Sequence, residues 1–485
     1  MLKNNILNLG IVFKVISRNL FIVAVSLMLV AGLALIFSED FIPFILAATT
    51  SIIMGLLFHF LFRPPEQTME LGKREAYLSV TLSWLFIALI GSLPYIFSGS
   101  IPSFVNAFFE SVSGFTTTGS SILTDIEALP KSILLWRSLT HWIGGIGIIV
   151  LFIIVMPSLR IGGYQLFTLE SSFQQKIHPR IKSVGQRLLF IYIFLTAIET
   201  ILLLFGGMNL YESICHSFAT VATGGFSPKN SSIGGYSPYI QYVIMIFMLL
   251  AGTNFIIHYY LLKRSFKKIK ENDELKFYLI IILLIGLTVT FILYFKTGKP
   301  LEESFRESFF QVISIITCTG FATADYLVWP KLAWIIIFFS MFFGGSTGST
   351  AGGIKMARHL LLLKNLRRSF RELIHPKAVF LIRLNNNIIN EDTNKSIITF
   401  ISIYFVIFII GSIILTFTGL DGETAASSVA TAMAGIGPGI GTVGPAGNFA
   451  HLTDFAKIVL SMLMLIGRLE IYAIIMLITP TFWKE

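Results

Sequence analysis

Four short stretches rich in glycine and threonine hold the residue types with the most specific chemistry in this chain. They read Ser113-Gly114-Phe115-Thr116-Thr117-Thr118-Gly119-Ser120, Ala222-Thr223-Gly224-Gly225-Phe226, Thr317-Cys318-Thr319-Gly320-Phe321 and Gly435-Ile436-Gly437-Pro438-Gly439. Gly119, Gly225, Gly320 and Gly437 recur roughly a hundred residues apart, which marks an internal repeat. What such stretches offer is backbone carbonyls. A ring of carbonyls replaces the water shell of a monovalent cation, the chemistry of a potassium filter. Glycine suits that ring because carbonyls that all point one way need backbone angles a side chain opposes. One such glycine is an ordinary turn or a packing site; four at matched positions point to converging strands. No Ser/His pair, paired aspartates or metal-ligand cluster lies at comparable depth, so the chain reads as no enzyme.

The elements that position these stretches are apolar. Of 485 residues, 54% are hydrophobic and 13% charged, against roughly 25% charged in soluble proteins. Mean hydropathy is +0.79. Lipid must be the solvent for most of the surface. Runs long enough to span lie near 19–37, 41–62, 77–98, 133–156, 187–206, 238–262, 276–296, 331–343, 396–417 and 455–480. Before each glycine stretch comes a shorter run, near 104–115, 211–222, 305–317 and 423–434, too short to cross and suited to a re-entrant helix. Non-helical backbone at that depth must be buried in protein or line a wet cavity. The expected fold is an all-α integral membrane protein with four units of helix, short helix, glycine stretch and helix around a central pore. Their bounds are 71–160, 183–265, 273–370 and 394–485, the third with a broken second helix, and residues 1–70 hold two extra N-terminal helices.

Basic residues sort by side. Segments 157–187, 263–276 and 355–395 carry most of the Lys and Arg between spans, which places them and both termini in the cytoplasm. The net charge of +10 therefore reads as orientation and contact with lipid headgroups, not as a nucleic-acid groove. Cys215 and Cys318 make neither a disulfide framework nor a metal site.

Several single features interrupt the apolar pattern. Segment 344–353 is Gly/Ser/Thr-rich inside a spanning run and cannot hold a straight helix well. A phosphate loop fails there, because Ile354 intervenes between Gly353 and Lys355 and Met356 follows. Arg468 lies within an apolar helix, where a charge faces the protein interior or water. It reads as a positive charge near the inner cavity, since Glu470 at i+2 points to another face. Glu110 reads as a brace for the first stretch or an ion contact, His141 as a satisfied interfacial side chain, and Cys318 as a small apolar group behind the third stretch. Glu199 is a further carboxylate in an apolar run.

With these residues in hand the sequence resembles the Trk/Ktr/HKT superfamily of potassium transporters, closest to bacterial Trk-type (TrkH-like) membrane subunits. The carriers are the four stretches, His141-Trp142-Ile143-Gly144-Gly145-Ile146-Gly147-Ile148, Gly344-Gly345-Ser346-Thr347-Gly348-Ser349-Thr350-Ala351-Gly352-Gly353-Ile354-Lys355, and Gly467-Arg468-Leu469-Glu470-Ile471. They span nearly the whole chain. One departure is Ala434-Gly435, where the family pattern implies asparagines. The resemblance implies a filter of Thr117, Thr118, Gly119, Thr223, Gly224, Gly225, Thr319, Gly320, Phe321, Ile436, Gly437 and Pro438. Potassium would be held at Thr118, Gly119, Thr223, Gly224, Thr319, Gly320, Ile436 and Gly437, and Gly119, in place of a serine, points to potassium preference. It further implies that Gly344, Gly345, Ser346, Thr347, Gly348, Ser349, Thr350, Ala351, Gly352, Gly353, Lys355 and Arg468 form a gate below the filter. Expected with this are potassium as permeant ion with no organic cofactor, a homodimer, and a cytoplasmic RCK-type nucleotide-binding regulatory subunit (TrkA-like). The expected place is the bacterial inner membrane. The alternative is a secondary-active symporter of potassium with protons or sodium, although such transporters carry two inverted repeats rather than four like units.

Overall fold

The computed structural model describes residues 7–62, 72–150 and 180–484. Its helices in chain order are α1 (Leu9–Ile36), α2 (Ile42–Leu61), α3 (Lys73–Phe97), α4 (Phe104–Phe115), α5 (Lys131–Val150), α6 (Arg180–Phe205), α7 (Leu210–Val221), α8 (Pro238–Ala251), α9 (Phe255–Leu262) and α10 (Phe266–Lys270). There follow α11 (Asp273–Thr297), α12 (Leu301–Ile316), α13 (Lys331–Ser340), α14 (Met356–Ile374), a two-stranded antiparallel hairpin of β1 (Arg383–Leu384) and β2 (Asn387–Ile388), α15 (Glu391–Thr416), α16 (Gly422–Ala434), α17 (Asp454–Arg468), α18 (Tyr472–Ile478) and α19 (Pro480–Lys484).

The chain is an α-helical membrane protein. Among the described residues six helices, α1, α2, α3, α6, α11 and α15, are each long and apolar enough to cross a bilayer, and between 28% and 44% of the most apolar window of each is buried inside the molecule. The rest of that apolar surface faces outward, as Ile22, Phe205, Phe295 and Phe417 do, and is suited to acyl chains.

Hydropathy reads 238–262 and 455–480 as continuous spans, but the structure bends both. Helices α8 and α9 meet at 102°, and α17 and α18 at 114°. At the first break Asn254 leaves the helix and accepts a hydrogen bond from Ile256 N at 2.9 Å, starting α9 afresh. At the second, Glu470 and Ile471 take left-handed backbone angles (φ 61° and 53°), which no helix continues through. The run 331–343 yields only the ten-residue α13 before the chain enters a loop. The run 133–156 corresponds to α5, described as far as Val150; the rest lies outside the described residues.

Four short helices, α4, α7, α12 and α16, have 12, 12, 16 and 13 residues. At 1.5 Å per residue each falls well short of the roughly 30 Å hydrocarbon core. Side-chain caps from Ser103, Asn209 and Asp421 start α4, α7 and α16. The Asp421 carboxylate lies outside the spans and sits below its ordinary pKa, first because the Thr424 backbone N–H donates to it. Preceding helices offer the short ones a small residue to lie on. A Cβ on Gly91 of α3 would overlap the Phe115 ring, one on Gly286 of α11 would come within 2.8 Å of the Phe309 ring, and one on Gly411 of α15 within 3.1 Å of Val429. Close approach through small residues is how helices gain packing energy in lipid, where no hydrophobic drive acts between them. Trp136 Nε1 also donates to Gly91 O at 3.0 Å, fastening α5 to α3.

Candidate functional site

Each short helix ends by turning its backbone left-handed at a fixed offset from the matched glycine. Two residues before it stand Thr117, Thr223, Cys318 and Gly435, with φ of 53°, 55°, 55° and 70°. The glycines themselves have φ of 82°, 80°, 83° and 101°. The hydrogen bonds repeat as well. Thr118 N donates to Ser113 O at 2.9 Å, Gly224 N to Ala219 O at 2.8 Å, Thr319 N to Ser314 O at 2.8 Å and Ile436 N to Thr431 O at 3.1 Å. This is the six-to-one bond of a Schellman C-cap. It makes each glycine stretch a rigid continuation of its helix.

The four stretches stand side by side in a closed cycle. A Cβ on Gly119 would overlap the carbonyl oxygen of Gly224, one on Gly225 that of Thr319, one on Gly320 that of Ile436, and one on Gly437 would lie 3.0 Å from that of Thr118. Every matched glycine is thus required twice, by its backbone angle and by the neighbour's carbonyl. All four glycines line a single cavity of ≈210 Å³, together with Ser120, Phe226, Ala322 and Pro438. The C-termini of α4, α7, α12 and α16 abut this ring, and each brings the negative end of a helix dipole, roughly half an elementary charge. The geometry can replace a cation's hydration shell with peptide oxygens.

Side chains brace the ring. Glu110 of α4 and Arg137 of α5, both buried, pair at 2.8 Å. The same carboxylate accepts from Ile122 N at 3.0 Å and Ser121 Oγ at 2.9 Å just past the first stretch, while Arg137 donates to Ser227 O at 3.3 Å just past the second and lies 4.0 Å from the Phe226 ring centre. Glu110 is therefore a brace, and Arg137 is the partner that sequence reasoning missed. His141 is fully buried rather than interfacial. Its Nδ1 lies 2.9 Å from Gly114 O and its Nε2 3.3 Å from Phe226 N, so the proton belongs on Nδ1 and the ring bridges the first two stretches. Ser120 Oγ donates to Gly437 O at 3.1 Å, joining the first stretch to the fourth. Thr118 and Thr319 hold their hydroxyls against Thr116 and Thr317 at 2.8 and 2.9 Å. Thr223 Oγ1 donates to Ala222 O at 2.6 Å. Glu199 is fully buried on α6, away from the cavity.

Beneath the ring, residues 341–355 leave α13 and return to α14 as a loop closed at its neck by Gly344 N to Ile354 O at 2.9 Å and Met356 N to Gly345 O at 3.2 Å. Ser346, Thr347, Ser349 and Thr350 are buried. Thr350 Oγ1 donates to Val221 O at 3.0 Å and Ala251 O at 3.3 Å, Ser346 N donates to Gly252 O at 2.8 Å, and Gly348 O accepts from Phe255 N at 3.2 Å. A Cβ on Gly352 would overlap Ala434 O, and one on Gly353 would lie 3.4 Å from Cys318 Sγ. Arg468 donates to Thr350 O at 2.8 Å and to Gly144 O at 3.2 Å, while buried Lys355 donates to Ala351 O. Glu470 pairs with Arg358 and not with Arg468. Two fixed cations therefore grip adjacent carbonyls of the loop.

Two backbone stations escaped the sequence reading. Cys318 and Gly435 occupy the left-handed position that Thr117 and Thr223 hold in the other stretches; the constant offset of two residues before each glycine was the available signal. Gly435 accounts for the departure in the fourth stretch, since glycine takes that angle without strain.

A helical, multi-pass membrane protein with four matched glycine stretches packed around one cavity is the class these features define. Comparison with known sequences agrees: the TrkH family, described as cation transport protein, matches residues 44–484, and the chain belongs to that family. The Trk system potassium uptake protein TrkH of Escherichia coli (strain K12) is 39% identical over 423 residues, covering 86% of this chain and 87% of that one. TrkI of Halomonas elongata is 38% identical over 422 residues, 86% of this chain and 85% of that one. The crystal structure of the potassium transporter TrkH from Vibrio parahaemolyticus superposes with a TM-score of 0.90 at 32% identity, covering 98% of this chain and 100% of that one.

Proposed function

We propose that this chain takes up potassium across the bacterial cytoplasmic membrane, both termini inside, as the membrane subunit of a Trk-type system. Four repeated units surround the pore, with the two N-terminal helices outside them. The carbonyls of Thr118, Gly224, Thr319 and Ile436, with those flanking them, dehydrate the ion; Thr117, Thr223, Gly225, Phe321 and Pro438 complete the strands. Loop 344–353, with Lys355 and Arg468, is the gate. The chain works as a homodimer whose gate answers to a cytoplasmic nucleotide-binding subunit. The observation that carries the reading is the closed cycle of four left-handed glycines, each with its neighbour's carbonyl where a side chain would stand. The names of the relatives supply potassium as the ion.

The test is flux through the purified protein in liposomes at fixed voltage, with potassium, rubidium and sodium compared. Potassium and rubidium should pass and sodium should lag. Equal passage of all three ions would refute the filter, while potassium movement that needs a proton or sodium gradient would convert the channel reading into the symporter one.

A further inference from the structure

Two adjacent acids begin α11, and nothing in the sequence pattern singles them out. Asp273 faces the hairpin: its N donates to Asn385 Oδ1 at 2.7 Å, and its carboxylate accepts from Asn385 N at 3.2 Å and Lys364 Nζ at 3.0 Å. Lys364, on α14, also donates to Arg383 O at 2.7 Å. Glu274 faces the other way, into the protein, and is 1% exposed. Its Oε1 accepts from Thr347 N at 2.7 Å, Thr347 Oγ1 at 3.1 Å and Ala357 N at 2.9 Å. Its Oε2 has no hydrogen-bond partner among the described residues.

An acid in the first turn of a helix ordinarily serves its own helix dipole. Glu274 instead spends its oxygen on another segment. One atom ties the middle of the loop, Thr347, to the loop's exit into α14, Ala357. Three donors converge on that one carboxylate oxygen, and the side chain is buried. The loop cannot swing from beneath the ring while those bonds hold.

We propose that Glu274 is the latch of the intramembrane loop, a positioning residue for permeation, and that Asp273 joins this latch to the hairpin and α14. Movement of the hairpin then reaches Thr347 and Ala357 through two consecutive residues of one rigid helix. The latch rests on the reading of 344–353 as the gate, so the experiment separates the two.

Full-length protein in liposomes is compared as wild type, Glu274→Ala, Glu274→Gln, Ala357→Pro and a chain lacking 346–351. Glu274→Ala should raise basal potassium flux at least tenfold and leave the potassium-to-sodium ratio unchanged, since the filter is untouched. Glu274→Gln keeps an acceptor oxygen in place and should raise flux only a few-fold. Ala357→Pro removes one donor at a first-turn position where proline is tolerated, and should raise flux while Glu274 stays. In the shortened chain Glu274→Ala should add nothing. If shortening raises flux and Glu274→Ala and Ala357→Pro do not, the latch is wrong and the gate stands. If shortening has no effect either, the gate reading itself fails and takes the latch with it. Should Glu274→Ala not fold, Ala357→Pro and Glu274→Gln decide. Amide hydrogen exchange over 344–357 should quicken in Asn385→Ala; unchanged exchange there would overturn the link to the hairpin.

Discussion

Substituting Gly119 by serine probes the ring most directly. At φ 82° a residue with a Cβ pays about 1–2 kcal/mol in backbone strain. The larger effect is steric, because the new Cβ would occupy the place of the Gly224 carbonyl oxygen. The new Cβ would stand 2.2 Å from that oxygen, so to regain ordinary van der Waals distance, 3.4–4 Å, the carbonyl must withdraw by about 1.2–1.8 Å or turn away. In the proposed filter, one of four oxygens at that level would then be lost to the ion. A change of about 1.4 kcal/mol in the difference between potassium and sodium binding is tenfold in selectivity, and losing one ligand of four should cost at least that. Reversal-potential measurements in potassium against sodium would therefore show the ratio fall about tenfold or more. Gly435→Asn is the control. It alters an equally left-handed glycine in the fourth stretch (φ 70°), but a Cβ there meets nothing nearer than Thr117 O at 3.8 Å. Asparagine tolerates that angle, and the other three stretches already hold Thr117, Thr223 and Cys318 there. Selectivity should stay within about twofold of wild type. Unchanged selectivity in Gly119→Ser, or an equal loss in Gly435→Asn, would refute the reasoning that carbonyl crowding sets the ring.

Other outcomes follow from the same geometry. Arg137→Ala strands the buried Glu110 carboxylate, and breaking such a pair costs about 3–5 kcal/mol; thermal unfolding in detergent should move down by several degrees, and a shift under one degree would show the pair to be idle. Deleting 346–351 should raise open probability in single-channel records with conductance and selectivity retained, whereas wild-type gating would remove the loop from the mechanism. Arg468→Gln frees Thr350 O and removes a charge below the ring, so potassium flux should rise several-fold; a fall would mean that Arg468 serves permeation rather than closure.

Much of the ring was legible because its requirement is conformational. A left-handed backbone at a fixed offset selects glycine, and spacing made the four glycines visible. The short helices were legible through length, since a dozen apolar residues cannot cross a bilayer: the runs at 104–115 and 423–434 are α4 and α16 almost to the residue. Direction was not legible. Hydropathy averages over a window and is blind to a bend, so α8–α9 and α17–α18 read as straight spans although Asn254 and Glu470 carried the cause. Pairings were invisible as well. Glu110 and Arg137 are 27 residues apart on two helices, and only their meeting behind the ring gives either a role. Glu274 lay hidden in a basic segment whose charge spoke for orientation alone.

The proposed gate is a single loop beneath a four-part ring, and its contacts show how one loop would suffice. Thr350 reaches Val221 at the end of α7 and Ala251 at the end of α8, Gly353 packs on Cys318 of the third stretch, Gly352 lies against Ala434 at the end of α16, and Arg468 carries the loop to Gly144 of α5. A pore with one axis needs one obstruction, provided that obstruction is held from every side. Four gating loops would compete for the same space. On the proposed reading one movement would release two barriers: Lys355 and Arg468 bond Ala351 O and Thr350 O, so withdrawing the loop would take away the acceptors that fix them. Steric and electrostatic closure would then be released together, and the proposed latch at Thr347 and Ala357 would command both.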